Sequence, residues 1–240
     1  LQLNLPARHP EVLELYLLRL NGLAGGPVRS VLPPSKSVQG GAAMTVLVEQ
    51  KTFGASAQYD NRGSKAIGPI QYGASLTLSN PLGFVGQSTA DLVLAQPAKQ
   101  LNYLAFKQEV PVYGDGTKVV VSGSHSNSRP GGNLGILSPT LQVESKTNIG
   151  RLRINKPLLR SRRSNVFVDG GFTWLDTVTK APLAGTDGFE LSNDRLRYLD
   201  VGLTVDGIDR WSGINILQLQ AFQGLPILDA TEGGDPEDAK

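Results

Sequence analysis

From residue 51 onward, apolar and polar side chains take turns along the chain. Phe53, Ala55, Ala57 and Tyr59 alternate with Gly54, Ser56, Gln58 and Asp60. Tyr72, Ala74, Leu76 and Leu78 alternate with Gln71, Gly73, Ser75 and Thr77. A period of two sends one set to each face of a strand. The same zigzag returns at Leu104, Phe106 and Val110 against Lys107 and Glu109. It returns again at Val166, Val168, Phe172 and Trp174 against Asp169, Gly171 and Thr173, and at Leu199, Val201, Leu203 and Val205 against Asp200, Gly202, Thr204 and Asp206. Weaker versions lie near 88–96, 118–125, 141–155 and 213–222, so the pattern predicts about nine strands. Turn clusters such as Asp60-Asn61-Arg62-Gly63 and Ser79-Asn80-Pro81-Leu82-Gly83 separate them. No helical segment intervenes, so the sheet is expected to be antiparallel.

The first fifty residues follow a different rule. Leu13, Leu15, Leu17, Leu18 and Leu20 form an apolar stripe that predicts a helix over 11–20, started at Pro10 and stopped by Asn21-Gly22. Strands are expected at 28–32 and 43–49. One helix and two strands make too small a core to fold alone. The domain reading is therefore an α+β remnant at 1–50, a β-domain at 51–230, and a polar tail at 231–240.

The connections between strands differ in length. The odd ones are expected near 60–69, 97–101, 126–140 and 177–195, the even ones near 79–88, 113–117, 160–165 and 206–212. The two longest are both odd and so share a rim. Membrane β-barrels show this asymmetry. Lys107, Glu109, Glu144, Lys146, Asp169 and Asp200 are assigned to the polar face, where a watery lumen would tolerate them and a packed small barrel would not. In that case the apolar face meets lipid. The alternative is a soluble β-sandwich with the apolar face in its core. Periodicity leaves both open.

Composition narrows the function classes. The net charge is only +2, which suggests no polyanion partner, and basic–aromatic interleaving for nucleic acid is absent. There is no cysteine, which removes disulfides, thiolate metal sites and cysteine nucleophiles. No apolar stretch approaches the ~20 residues of a spanning helix, a limit that does not apply to barrel strands of ~9–11 residues. The chain begins at Leu1, as expected of a processed or internal segment. His125 lies among serines in "SGSHSNSRPGG", but adjacent strand residues point to opposite faces and no third group orients a dyad. "GDGT" at 114–117 is a turn with no helix behind it. No catalytic residue, metal site, cofactor or small-molecule substrate is assigned.

The stretch from Pro27 to Gly83 resembles the junction between the second POTRA domain and the barrel of two-partner secretion transporters, the haemolysin and filamentous-haemagglutinin secretion/activation proteins. The matching pieces are Val28-Arg29-Ser30-Val31-Leu32, a strand ending in Glu49, Asp60-Asn61-Arg62-Gly63, and Asn80-Pro81-Leu82-Gly83. "LNYLAFKQEVPVYGDGTKVVVSGS" resembles the family's middle strands, and the likeness runs to about Asp229. It implies a mainly β fold: an antiparallel transmembrane β-barrel of sixteen strands, about nine of them present, preceded by the α+β remnant of a POTRA domain. It also implies location in the bacterial outer membrane with the POTRA part in the periplasm. The implied activity is ATP-independent export of a large unfolded β-helical exoprotein.

On that resemblance, partner capture falls to the helix face at Glu14, Tyr16 and Arg19 and to the strand bearing Val28, Arg29 and Val31. The six charged residues above become pore-lining candidates, and the surrounding partner is outer-membrane lipid. The basic turn with Arg160, Arg162 and Arg163 would touch lipid phosphates or the POTRA domain, or simply be solvated. The family's plug helix and its Arg-Gly-aromatic pore loop have no counterpart here, since Ser64 follows Arg62-Gly63; the segment is expected to stop midway through the barrel. The rival readings are a barrel insertase of the same superfamily, a porin, and the soluble sandwich module.

Overall fold

The computed structural model describes residues 2–4, 28–31, 43–48, 51–80, 86–112, 114–130, 143–181 and 189–231. Among them lie two antiparallel sheets. The smaller has the order β1–β3–β2, with β1 at Gln2–Asn4, β2 at Val28–Val31 and β3 at Ala43–Val48. β2 and β3 are the strands expected at 28–32 and 43–49. The helix expected at 11–20 and nearly all of the polar tail lie outside the described residues.

The larger sheet has nine strands, each hydrogen-bonded to the next in sequence. They are β4 (Phe53–Asp60), β5 (Ile70–Ser79), β6 (Gln87–Gln96), β7 (Leu101–Pro111), β8 (Lys118–Ser128), β9 (Glu144–Arg160), β10 (Ser164–Ala181), β11 (Phe189–Ile208) and β12 (Ile214–Gly224). Up-and-down order follows from the short connections, which cannot carry a parallel crossover. β4 and β12 are the two edges, and they do not pair with each other.

Cross-strand pairing keeps each face uniform. One row runs Phe53, Leu78, Ser88, Gln108, Val121, Leu152, Phe172 and Leu199. It begins at the first residue of β4 and ends in the middle of β11, so the stagger accumulates in one direction across the sheet. Such a stagger tilts strands as barrel walls require.

The apolar face is uncovered. Leu104, Phe106, Val121, Leu152 and Val201 are each about half exposed or more (56%, 51%, 51%, 49% and 60%). The buried hydrophobic residues among those described are only Ala95 and Ala181. A sandwich would have stacked this face against a second layer and made a core. Among the described residues there is none, so the sandwich expectation fails.

The loop expected at 177–195 also needs correction. β10 continues to Ala181 and β11 begins at Phe189, paired as far as Ala181 with Phe189. On β10 the apolar set stops at Trp174, and the next residue on that face is Asp176. Beyond it Val178 stands alone among Asp176, Lys180 and Asn193 on that face, so the strand continues with only a broken amphipathic signal.

Candidate functional site on the polar face

Pairing brings four of the six charged candidates to one face. The row through Glu109 contains Gln87, Val120, Arg153, Gly171, Asp200 and Phe222. The row through Lys107 contains Thr77, Thr89, Ser122, Arg151, Thr173 and Tyr198. Asp169 pairs with Gly202 and Asn155 on the same face. Lys107 and Glu109 form an ion pair at 2.9 Å, and Lys118 approaches Glu109 at 3.8 Å.

Glu144 and Lys146 lie elsewhere. Lys146 pairs with Asn127 and Val178, which puts both residues on the face of the apolar stripe, at the end of β9 away from Arg160. There Glu144 contacts Arg129 at 2.6 Å and Lys146 at 3.5 Å. Ile149, an apolar residue, stands on the polar face and breaks the alternation near this end. Counting from Leu152 and Ile154 gives the observed side.

The centre of the polar face is an arginine that sequence reasoning did not single out. Arg153 Nη2 donates to Asp169 Oδ2 at 2.6 Å and to Asp200 Oδ2 at 2.5 Å. The three residues sit on β9, β10 and β11, so one guanidinium ties three strands. Two glycines make this possible. Gly171 separates Arg153 from Asp200 in their row, and a Cβ there would meet Arg153 Cγ and the Leu152 carbonyl, each at 2.8 Å. A Cβ at Gly202 would meet Asp169 Oδ1 at 2.5 Å. Bare backbone at both positions lets the long side chain and the carboxylate lie flat on the sheet. Asp200 is buried, and a buried carboxylate needs a paired cation. Arg153 was within reach of the sequence, since its parity with Arg151 and Asn155 marks the polar face. Its partners were not, because they depend on register.

The remaining candidates are placed as follows. Val28, Arg29 and Val31 lie on β2, an edge of the smaller sheet among the described residues. Glu14, Tyr16 and Arg19 lie outside the described residues. His125 Nδ1 is 2.7 Å from Asn148 Oδ1 on the face of the apolar stripe, whereas Ser124 and Ser126 project to the other face. On that stripe face Arg197 pairs with Asp176 at 2.8 Å, and its guanidinium carbon lies 5.4 Å from the Trp174 ring centroid. With His125 and Asn148, these residues end the apolar band on the far side from the turn at 161–163.

The fold is similar to that of CdiB from Escherichia coli, at 20% identity and a TM-score of 0.72 over 92% of this chain and 40% of that one. It is also similar to CdiB from Acinetobacter baumannii, at 11% identity and a TM-score of 0.56 over 86% of this chain and 39% of that one. The chain thus spans about two fifths of the length of these structures. Comparison with curated protein sequences gives no match. The sequence profile of one family covers residues 44–239, and the chain belongs to that family, the haemolysin secretion/activation proteins ShlB/FhaC/HecB.

Proposed function

We propose that the nine-stranded sheet is part of the wall of an outer-membrane translocator that exports a large unfolded exoprotein, of haemolysin or adhesin type, to the cell surface. The observation that carries this reading is the uncovered apolar face, opposite a polar face with paired charges. In lipid the apolar face needs no protein cover, and in a wet conduit the polar face needs none. The apolar band fits the span: on β10 it runs from Val166 to Trp174, close to the ~9–11 residues of a tilted barrel strand. Further strands, pairing with the free edges of β4 and β12, would close the barrel.

The conduit wall offers an unfolded chain many weak contacts. Small hydroxyls on β4–β8 present little to grip, and Lys107, Glu109, Asp169 and Asp200 are each already paired. Residues 1–50 are read as the periplasmic POTRA part. The outer edge of β2, unpaired among the described residues, suits capture of an extended segment of the exoprotein by strand addition, which needs backbone hydrogen bonds more than sequence. Nothing in this reading calls for bond chemistry.

Residues 1–240 contain no cysteine, so each introduced thiol is the one reporter in this part of the wall. In the full-length transporter reconstituted in bilayers, Ser124→Cys is expected to react readily with a water-soluble maleimide. Leu152→Cys is expected to resist that reagent and to react with a lipid-soluble one. A stalled exoprotein carrying a cysteine should form a disulfide at position 124 and not at 152. Equal labelling of both positions by the water-soluble reagent would overturn the reading.

A further inference from the structure

Two neighbouring turns at one rim of the large sheet concentrate positive charge. The β9–β10 turn spans 161–163 and the β11–β12 turn spans 209–213. They are tied together, because Ile208 N donates to the Arg163 carbonyl at 2.7 Å. Each is also fixed internally. Ser161 Oγ accepts from Ser164 N at 2.9 Å and Arg163 N at 3.3 Å. Asp209 Oδ1 accepts from Trp211 N at 2.9 Å and Gly213 N at 2.8 Å. The pair of turns carries Arg162, Arg163 and Arg210, all exposed. Asp206 accepts from Asn165 Nδ2 at 2.8 Å, and Asp209 is held by its own turn.

Apolar side chains frame the cluster. Trp211 is 75% exposed, and the Arg210 guanidinium carbon lies 4.1 Å from its ring centroid. Leu158 and Leu159 are exposed beside the first turn, where the apolar band begins. The β7–β8 turn at the same rim has Asp115 and no arginine, so the excess is local. Guanidinium groups next to an exposed indole at the edge of an apolar band match the boundary between hydrocarbon and headgroup. Arginine binds phosphate oxygens through paired N–H groups, and Trp tolerates the mixed environment.

From this geometry, and resting on the membrane reading above, we propose that the paired turns bind the phosphate of anionic phospholipid headgroups in the leaflet at this rim. The surface holds the barrel wall at a set depth on that side. A lipid is favoured over a protein partner because the cations adjoin exposed apolar residues continuous with the lipid-facing band.

The test uses the full-length transporter in detergent, titrated with phosphatidylglycerol and with phosphatidylcholine of the same chains, with bound lipid counted by native mass spectrometry. The wild type is expected to prefer phosphatidylglycerol. The combined variant Arg162→Gln, Arg163→Gln, Arg210→Gln should lose that preference by about fivefold for each arginine removed. Arg62→Gln with Lys65→Gln, at the opposite rim, should leave it unchanged. Retained preference in the triple variant, or equal loss in the control, overturns the proposal. Reconstitution into phosphatidylcholine bilayers separates the two readings. A wild type that inserts there without preferring the anionic lipid sinks this inference alone, and one that fails to insert sinks the membrane reading with it.

Discussion

The two halves of the large sheet solve the same problem differently. On β4–β8 the strands have 8 to 11 residues, and the middle of the polar face carries Ser56, Ser75, Thr77, Ser122 and Ser124 together with Asp91 and the Lys107–Glu109 ion pair. On β9–β11 the strands have 17 to 20 residues, and the middle of that face is Arg151, Arg153, Asp169 and Asp200. Apart from Asp91 and the Lys107–Glu109–Lys118 contacts, the short strands line the face with small hydroxyls and rely on the backbone ladder. Long strands project past the apolar band, and there the ladder is no longer backed by an amphipathic face. A guanidinium shared by two carboxylates adds a cross-link where the strands are longest. The second half is thus braced across three strands at Arg153, where the first half carries only the looser Lys118–Glu109 contact between two.

The sharpest way to break the contrast is to remove the brace. Arg153→Gln leaves Asp169 and Asp200 facing each other without their cation. Breaking a buried pair by removing one partner costs ~3–5 kcal/mol. Arg153 is one third exposed, so solvent screens part of that, and a loss of about 2 kcal/mol is expected from the denaturant midpoint of the full-length protein. Adding Asp200→Asn should restore part of the loss, because it removes the uncompensated charge. Additive single effects would show that the bridge does not couple the strands.

A smaller effect tests whether the glycines differ between the halves. A methyl group at Gly171 would press on the Leu152 carbonyl as well as on Arg153, and backbone cannot yield as a side-chain tip can. Gly171→Ala is expected to cost about 1–2 kcal/mol as overpacking. At Gly73, in the first half, the nearest atom to an added Cβ is Gln58 Cβ at 3.5 Å, an ordinary contact. Gly73→Ala should be close to neutral by the same unfolding measurement. Equal costs would mean that space at Gly171 does not serve the bridge.

The sequence carried the two faces and the number of strands, because a period of two is visible wherever one face is apolar. It lost the ends of β10 and β11 for the same reason. Thr177, Thr179 and Asp194 share one face while Asp176, Arg195 and Asn193 share the other, so polarity no longer alternates. Glu144 and Lys146 fell on the wrong face because Ile149 interrupts the rule near that end. The Arg153 bridge needed register, which joins residues 16 and 47 positions apart. No local spacing encodes that pairing. The two carboxylates were legible as polar-face residues, and their shared cation was not.

The smallest effect concerns the turns at the rim that carries Arg163. In the first half, Asp115 accepts from Thr117 N at 2.9 Å, and this bond holds its carboxyl below the usual aspartate value of 3.8. In the second half, Asp209 accepts from Asn215 Nδ2 at 3.1 Å and from the Gly213 and Trp211 amides, and it too is held below 3.8. A carboxylate with a depressed pKa in the folded state contributes stability that is full above its unfolded value. That contribution fades as pH falls below 3.8 and is lost through the folded pKa. Both groups sit in turns outside the strand ladders, so the effect should be confined to the turns. Amide hydrogen exchange, corrected for its intrinsic pH dependence, should lose protection at Trp211 and Gly213 in that acid window, while the strands keep theirs. Asp209→Asn should remove the acid transition there and leave the Thr117 amide unchanged. An acid transition at the Trp211 amide that persists in Asp209→Asn would count against the idea that this carboxylate holds the β11–β12 turn.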